Sequence, residues 1–208
     1  MHHYRLHRDP RSSHQQIIGH VLRLRKDPVL DVGAAQGILG RLAEGSGLVM
    51  DAIEPHPEWA EHARPHYRQV FNSTVEAAPL ADKSYRMVIC GDVLEHTADP
   101  VSVPNVAHLA VRMMLLFGSF PKMERGILDK THLQFFTRDT AEAMLRQAGL
   151  KVVSASATGI PMDEVWRRGE KRAAFRAAVR MQHVALDLAP RLFGMQWVFV
   201  AEPADGAK

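Results

Sequence analysis

"VLDVGAAQG", residues 29–37, decides how the chain is read. Four residues of apolar strand carry an acid at their third position, Asp31. A run of small residues follows, and then the start of a helix, "QGILGRLAEG", which Gly45 ends. Small residues after a strand let a ligand press against bare backbone. Around this stretch, apolar segments alternate with amphipathic ones. "LVMDAIE", "YRQVFNS" and "RMVICGDVL" read as further strands and "PEWAEHAR" as a short helix, with Pro57 in its first turn and Pro65 past its end. Upstream, "SSHQQIIGHVLRLRK" reads as an amphipathic helix, capped by Ser12 or Ser13 with Gln15 or Gln16 closing a capping box. Downstream, "RDTAEAMLRQAG" is a helix with Thr137 as cap and Gly149 as stop. "LKVVSASAT" and "MQWVFVAEP" are strands, and residues 163–188 between them form a long helical segment.

The bulk properties narrow the class. A chain of 208 residues, 46% hydrophobic and 24% charged, makes one domain with a full core. A formal charge of +3 with a pI near 9.2 is too mild to call for nucleic acid. Cys90 is alone, so no internal disulfide forms. "MHHYRLHRDP" lacks the apolar core of a signal peptide. "LAVRMMLLFG" is short, contains Arg112 and reads as a core helix rather than a membrane span. The cytoplasm is the expected setting.

In open parallel sheets, ligands bind outside the carboxyl ends of the strands. Asp31, Gly33 and Gly37 end the first strand, Glu54 the second and Asp92 the fourth. Glu54 stands 23 residues after Asp31, the spacing of a second-strand acid that accepts ribose hydroxyls. "AQGILG" matches the dinucleotide pattern G-x-G-x-x-G except that Ala35 replaces the first glycine. The acid before the loop repels a pyrophosphate and attracts a cation. S-adenosylmethionine carries a sulfonium and an ammonium and no phosphate.

With "AIEPHPEWAEHAR", "ICGDVLEHTADP" and "GILDKTHLQFFT" followed by "AGLKVV", the opening stretch resembles the class I S-adenosylmethionine-dependent methyltransferases, in the branch near ubiquinone-biosynthesis and glycan O-methyltransferases. The likeness runs over most of residues 12–155. It implies an α/β, Rossmann-like fold, a mostly parallel sheet with helices on both faces. It implies that Asp31, Gly33, Ala35 and Gly37 line the methionine part of the cofactor, that Glu54 holds the ribose, that Thr74 and Val75 flank the adenine, and that Asp92 closes the pocket. This chain departs from the family at Thr74, where an aspartate is usual, at Ala35, where glycine is usual, and at Arg86, where an acid is usual. Each departure weakens the expected affinity.

Transfer of a methyl group to a hydroxyl needs a base, and histidine suits that step near neutral pH. His96 and His132 are the catalytic candidates, with Glu95 and Asp129 either orienting them or capping local turns. Twelve histidines make a structural role the commoner one for any of them. The N-terminal histidines lack metal-site spacing, so no metal is expected. Arg168, Arg172, Arg176 and Arg180 recur every four residues and read as a solvated face opposite Phe175, Val179 and Leu186. Trp166 and Trp197 read as packing residues.

One connection breaks the pattern. Only seven residues, 95–101, separate Leu94 from Ser102, whereas a parallel crossover takes a dozen or more. About twenty residues, one strand–helix crossover, are missing, so the fifth strand is absent or rearranged. The fourth strand is then left as a raw edge, or is paired by the last strand, "WVFVA"; such an edge also admits a homodimer. The expectation is one domain over 1–208, with residues 12–100 as the cofactor-binding half and 101–208 as the substrate-side half with the C-terminal strands. The expected activity is methylation of a hydroxyl on a small molecule or glycan. A methyltransferase-like binding protein without turnover is the first rival and an NAD-dependent oxidoreductase the second.

Overall fold

The computed structural model describes residues 9–91, 102–124, 126–162 and 173–204. They fall into two compact units, the first holding residues 14–91 and the second residues 9–13 with 102–204.

The first unit is a parallel sheet of four strands, β1 (Val29–Val32), β2 (Met50–Ile53), β3 (Gln69–Phe71) and β4 (Met87–Cys90), in the order β3-β2-β1-β4. Every pairing is parallel, with Asp31 level with Ala52 on one side and Ile89 on the other. β1 and β2 are buried along their whole length, as central strands covered on both faces must be. Helices α1 (Ser13–Leu24), α2 (Ile38–Ala43) and α3 (Pro57–Ala63) flank the sheet, and a 3₁₀ turn, Arg64–His66, follows α3. α1 turns Ile17, Ile18 and Val21 inward. Leu30, Val32 and Ile53 form a core cluster with Phe71, Leu80, Tyr85 and Cys90 packed on it. The Ser12 hydroxyl is buried without a hydrogen-bond partner, so it does not make the cap expected of it.

The second unit carries an antiparallel sheet, β5 (Ser102–Pro104), β6 (Leu150–Ala157) and β7 (Gln196–Pro203), in the order β5-β7-β6. Helices α4 (Leu109–Leu116), α5 (Arg138–Gln147), α6 (Ala173–Leu188) and α7 (Pro190–Phe193) complete it. Its core joins Val103, Phe136, Ala141, Leu145, Trp197 and Phe199. Thr137 caps α5 in a reciprocal box with Thr140, and Gly149 ends that helix at φ +76°.

Two expectations are corrected here. The last strand does not pair with β4. Val103 and Ala157 flank Trp197 in an antiparallel ladder, and β4 stays at the edge of the described sheet, with Val88 57% exposed. The rearranged fifth strand therefore joins the C-terminal strands rather than the parallel sheet. Nor is "LAVRMMLLFG" a core helix. Of α4 only Val111 is buried, while Leu115, Leu116 and Phe117 are exposed. The described half of the 163–188 segment is helical, and Arg176 and Arg180 lie exposed on it. Trp166, Arg168 and Arg172 lie outside the described residues. No helix among the described residues is long and apolar enough to cross a membrane.

Candidate functional site: the carboxyl rim of the parallel sheet

β1 and β2 run side by side in the same direction, so their carboxyl ends deliver Asp31 and Glu54 to one rim. The β1–α2 loop is tied down by two amides, Gly33 and Ala34, that both donate to the Ile53 carbonyl at 2.8 and 3.2 Å. The next amide, Ala35 N–H, donates to Glu54 Oε2 at 2.8 Å, and His56 N–H donates to Glu54 Oε1 at 2.9 Å. Glu54 is 4% exposed. Each carboxylate oxygen accepts about two hydrogen bonds, so one lone pair on each remains for a pair of hydroxyls. Asn72, at the end of β3, holds the same corner by donating to the Glu54 and Pro55 carbonyls.

Ala35 sits at φ +47°, in the left-handed region. That conformation explains why glycine is usual there: an L side chain is strained by it. Gly37 also needs its φ of +78°, and a Cβ on it would stand 3.0 Å from the Ala63 Cα. Gly40 has a different reason. A Cβ there would lie 2.6 Å from the Tyr67 ring, so this glycine of "AQGILG" serves the packing of α2 on that ring.

Tyr67 was not singled out from the sequence, yet it organises the rim. Its hydroxyl accepts from Gly40 N–H at 2.9 Å and donates to Asp31 Oδ2, joining α2, the 3₁₀ turn and β1. Asp31 is 1% exposed. Burial pushes its carboxyl up to about 7, the Tyr67 hydrogen bond works against that rise, and the neighbouring Glu54 charge adds to it. Burial likewise raises the Tyr67 hydroxyl, and burial with the Asp31 charge pushes the Cys90 thiol at the end of β4 up to about 12, so both groups stay protonated near neutrality.

Thr74 and Val75 follow β3 in an exposed turn whose backbone closes by Ala77 and Ala78 N–H donating to the Thr74 carbonyl. The Glu76 carboxylate accepts from its own N–H and from the Thr74 hydroxyl, which holds it below the usual carboxylate range. The turn thus has a negative charge two residues from the position where an aspartate was expected. Arg86 stands just before β4, at the end of the strand opposite the rim. Asp92, Glu95 and His96 lie outside the described residues. His132 belongs to the second unit. Its Nδ1 donates to the Ile127 carbonyl at 3.2 Å, which in the neutral ring leaves the basic lone pair on Nε2. Asp129 caps its own turn, accepting from Thr131 N–H and hydroxyl.

A family described as "Methyltransferase domain" matches residues 2–155. The ubiquinone biosynthesis O-methyltransferase of Azotobacter vinelandii is 36% identical over 101 residues, which are 44% of this chain and 42% of that enzyme. The chain therefore matches less than half the length of that curated relative. Among solved structures, a SAM-dependent methyltransferase from Archaeoglobus fulgidus is similar with a TM-score of 0.55 and 17% identity, over 92% of this chain and 95% of that one. A magnesium protoporphyrin IX methyltransferase from Synechocystis with bound SAH has a TM-score of 0.53 and 17% identity, over 72% and 77%. The chain belongs to the family described as "Methyltransferase domain", and it shares the fold of these SAM-dependent methyltransferase structures.

Proposed function

We propose that the protein transfers the methyl group of S-adenosylmethionine to a hydroxyl oxygen of a small-molecule acceptor. The observation that carries this reading is the Glu54 carboxylate, buried at the end of β2, anchored by one amide on each oxygen and keeping a lone pair on each. That is the acceptor pair a ribose diol fits. In this reading Gly33, Ala35 and Gly37 shape the backbone wall for the methionine part, and Asp31 adds negative potential beside a cation. Thr74 and Val75 flank the adenine. The cofactor supplies an electrophilic methyl on sulfur. The chain's task is to hold the acceptor oxygen in line and remove its proton. His132, with Nε2 as its basic nitrogen, and His96 are the residues proposed for the proton. Oxygen as the accepting atom is supported by the ubiquinone O-methyltransferase relative, and a glycan hydroxyl presents the same chemistry.

A second reading, cofactor binding without turnover, is favoured by the seven residues between Leu94 and Ser102. Calorimetry with S-adenosylhomocysteine and with NAD, together with a methyl-transfer assay, separates the readings. Binding of the first ligand that Glu54→Ala abolishes supports the proposal, and binding of NAD alone overturns it. His132→Ala should leave binding intact and remove turnover. Binding with no methyl donor consumed by any phenol, alcohol or sugar supports the second reading.

A further inference from the structure

We propose that the second unit holds a small oxyanion, a phosphate or carboxylate group, in a cavity between the start of α5 and β7. This cavity, of about 120 Å³, is lined by Arg112, Arg138, Asp139, Arg191, Asn105 and Trp197, among others. At roughly 30 Å³ per water it has room for about four, which suits a single acidic group and not a nucleoside.

The charges around it do not balance. Arg191 and Asp139 pair with each other through two contacts of 2.6 and 2.7 Å. Arg112 is left over, and Arg138 pairs with Glu142, a carboxylate that Arg146 also meets. Arg112 donates from Nε to the Ala107 carbonyl at 2.6 Å and makes no ion pair among the described residues. The carboxylate that Arg138 meets, Glu142 one turn along α5, stands 3.6 Å from it. Two donors among these lining side chains are also buried without any hydrogen-bond partner, Arg138 Nε and Trp197 Nε1. Trp197 is 1% exposed, so its orphaned N–H is a deep one. A buried donor left unmade is costly, and both of these belong to side chains that line the cavity. The Arg138 guanidinium lies 5.4 Å over the Trp197 ring. Its planar fork matches carboxylate and phosphate alike. The positive end of the α5 dipole adds to the same field. Asn105 is engaged elsewhere: its Oδ1 accepts from Ala107 N–H and its amide donates to the Arg191 and Gly194 carbonyls.

The test is a titration of the ¹⁵N-labelled full chain, with the Trp197 indole N–H resonance as reporter, assigned by its loss in Trp197→Phe. Sodium phosphate and sodium acetate are added separately, with sodium chloride at matched ionic strength as control. A saturable shift in the millimolar range, weakened about tenfold or more by Arg138→Gln, is expected. Arg112→Gln, on the exposed side of α4, should weaken it too without touching the fold. Phosphate acting alone assigns a tetrahedral anion and acetate alone a carboxylate; either supports the site. A shift no larger than that from chloride overturns the proposal. So does one that both arginine variants leave unchanged.

Discussion

Replacing Asp31 by asparagine tests the least compensated charge in the parallel sheet. The asparagine Oδ1 still accepts the Tyr67 hydroxyl, and the buried negative charge is gone. Burial raises the Asp31 carboxyl from an ordinary 3.8 to about 7, against the Tyr67 hydrogen bond and with help from Glu54. Between those two values the folded protein binds more protons than the unfolded chain, so stability falls as pH rises through that window. At about 1.4 kcal/mol per pH unit, the whole penalty above pH 8 is about 4 kcal/mol, and more than half of it develops between pH 5 and pH 8. The variant has no such slope. Urea unfolding of both proteins at the two pH values should therefore show the variant gaining about 2–3 kcal/mol on the wild type, about 1 M in midpoint. A constant offset from the new amide does not matter, because only the change with pH is read. If both proteins lose stability in parallel, Asp31 is ionised throughout and the reasoning is wrong.

Ala35→Gly should raise stability by about 0.5–1 kcal/mol in the same urea assay, because a left-handed alanine costs about 1–2 kcal/mol and the freer unfolded chain returns less than that. Gly40→Ala should cost about 1–3 kcal/mol, since its methyl meets the Tyr67 ring at 2.6 Å; an unchanged midpoint would refute the close approach. Glu54→Gln keeps one acceptor and loses the charge, and S-adenosylhomocysteine affinity measured by calorimetry should fall about tenfold or more. Binding of S-adenosylmethionine at pH 6, measured in buffers of different ionisation enthalpy, should release close to one proton as Asp31 ionises beside the cation, and none at pH 9.

The parallel sheet was legible because its central strands are buried on both faces. "VLDV" and "MDAI" read as continuous runs whose ends are marked by small residues, and the rim residues Asp31 and Glu54 follow from where those runs stop. The same logic failed for α4, whose apolar composition is that of a core helix although Val111 alone is buried. Composition reports what a segment can bury and not what it finds to bury against. The partner of the last strand was equally illegible. Once the crossover after β4 is missing, pairing depends on which edges meet in space, and β7 finds β5 and β6. Tyr67 escaped notice for a related reason. It lies 36 residues from Asp31, and neither spacing nor residue type marks a tyrosine as the partner of a buried acid.

Among the described residues three acids are buried in the parallel sheet and at its rim, and their partners tell them apart. Asp51 and Asp31 sit in similar runs, "VMDA" and "VLDV", on neighbouring strands one residue out of register, each 1% exposed. Asp51 is met by the Arg68 guanidinium through both of its oxygens and by the Tyr85 hydroxyl. Its charge is cancelled within the fold. Glu54 is met by two backbone amides, which fix its direction and add no countercharge. Asp31 is met by one neutral hydroxyl and lies close enough to Glu54 to feel its repulsion. A fold selected for stability alone would treat Asp31 as it treats Asp51, with a cation in contact. Leaving two acids at one rim without a contacting cation among the described residues makes that rim a place where an external cation gains most. A ligand with a sulfonium and an ammonium fills that need, and a pyrophosphate aggravates it. The charge pattern at the strand ends therefore separates S-adenosylmethionine from a dinucleotide more sharply than the glycines of the loop do.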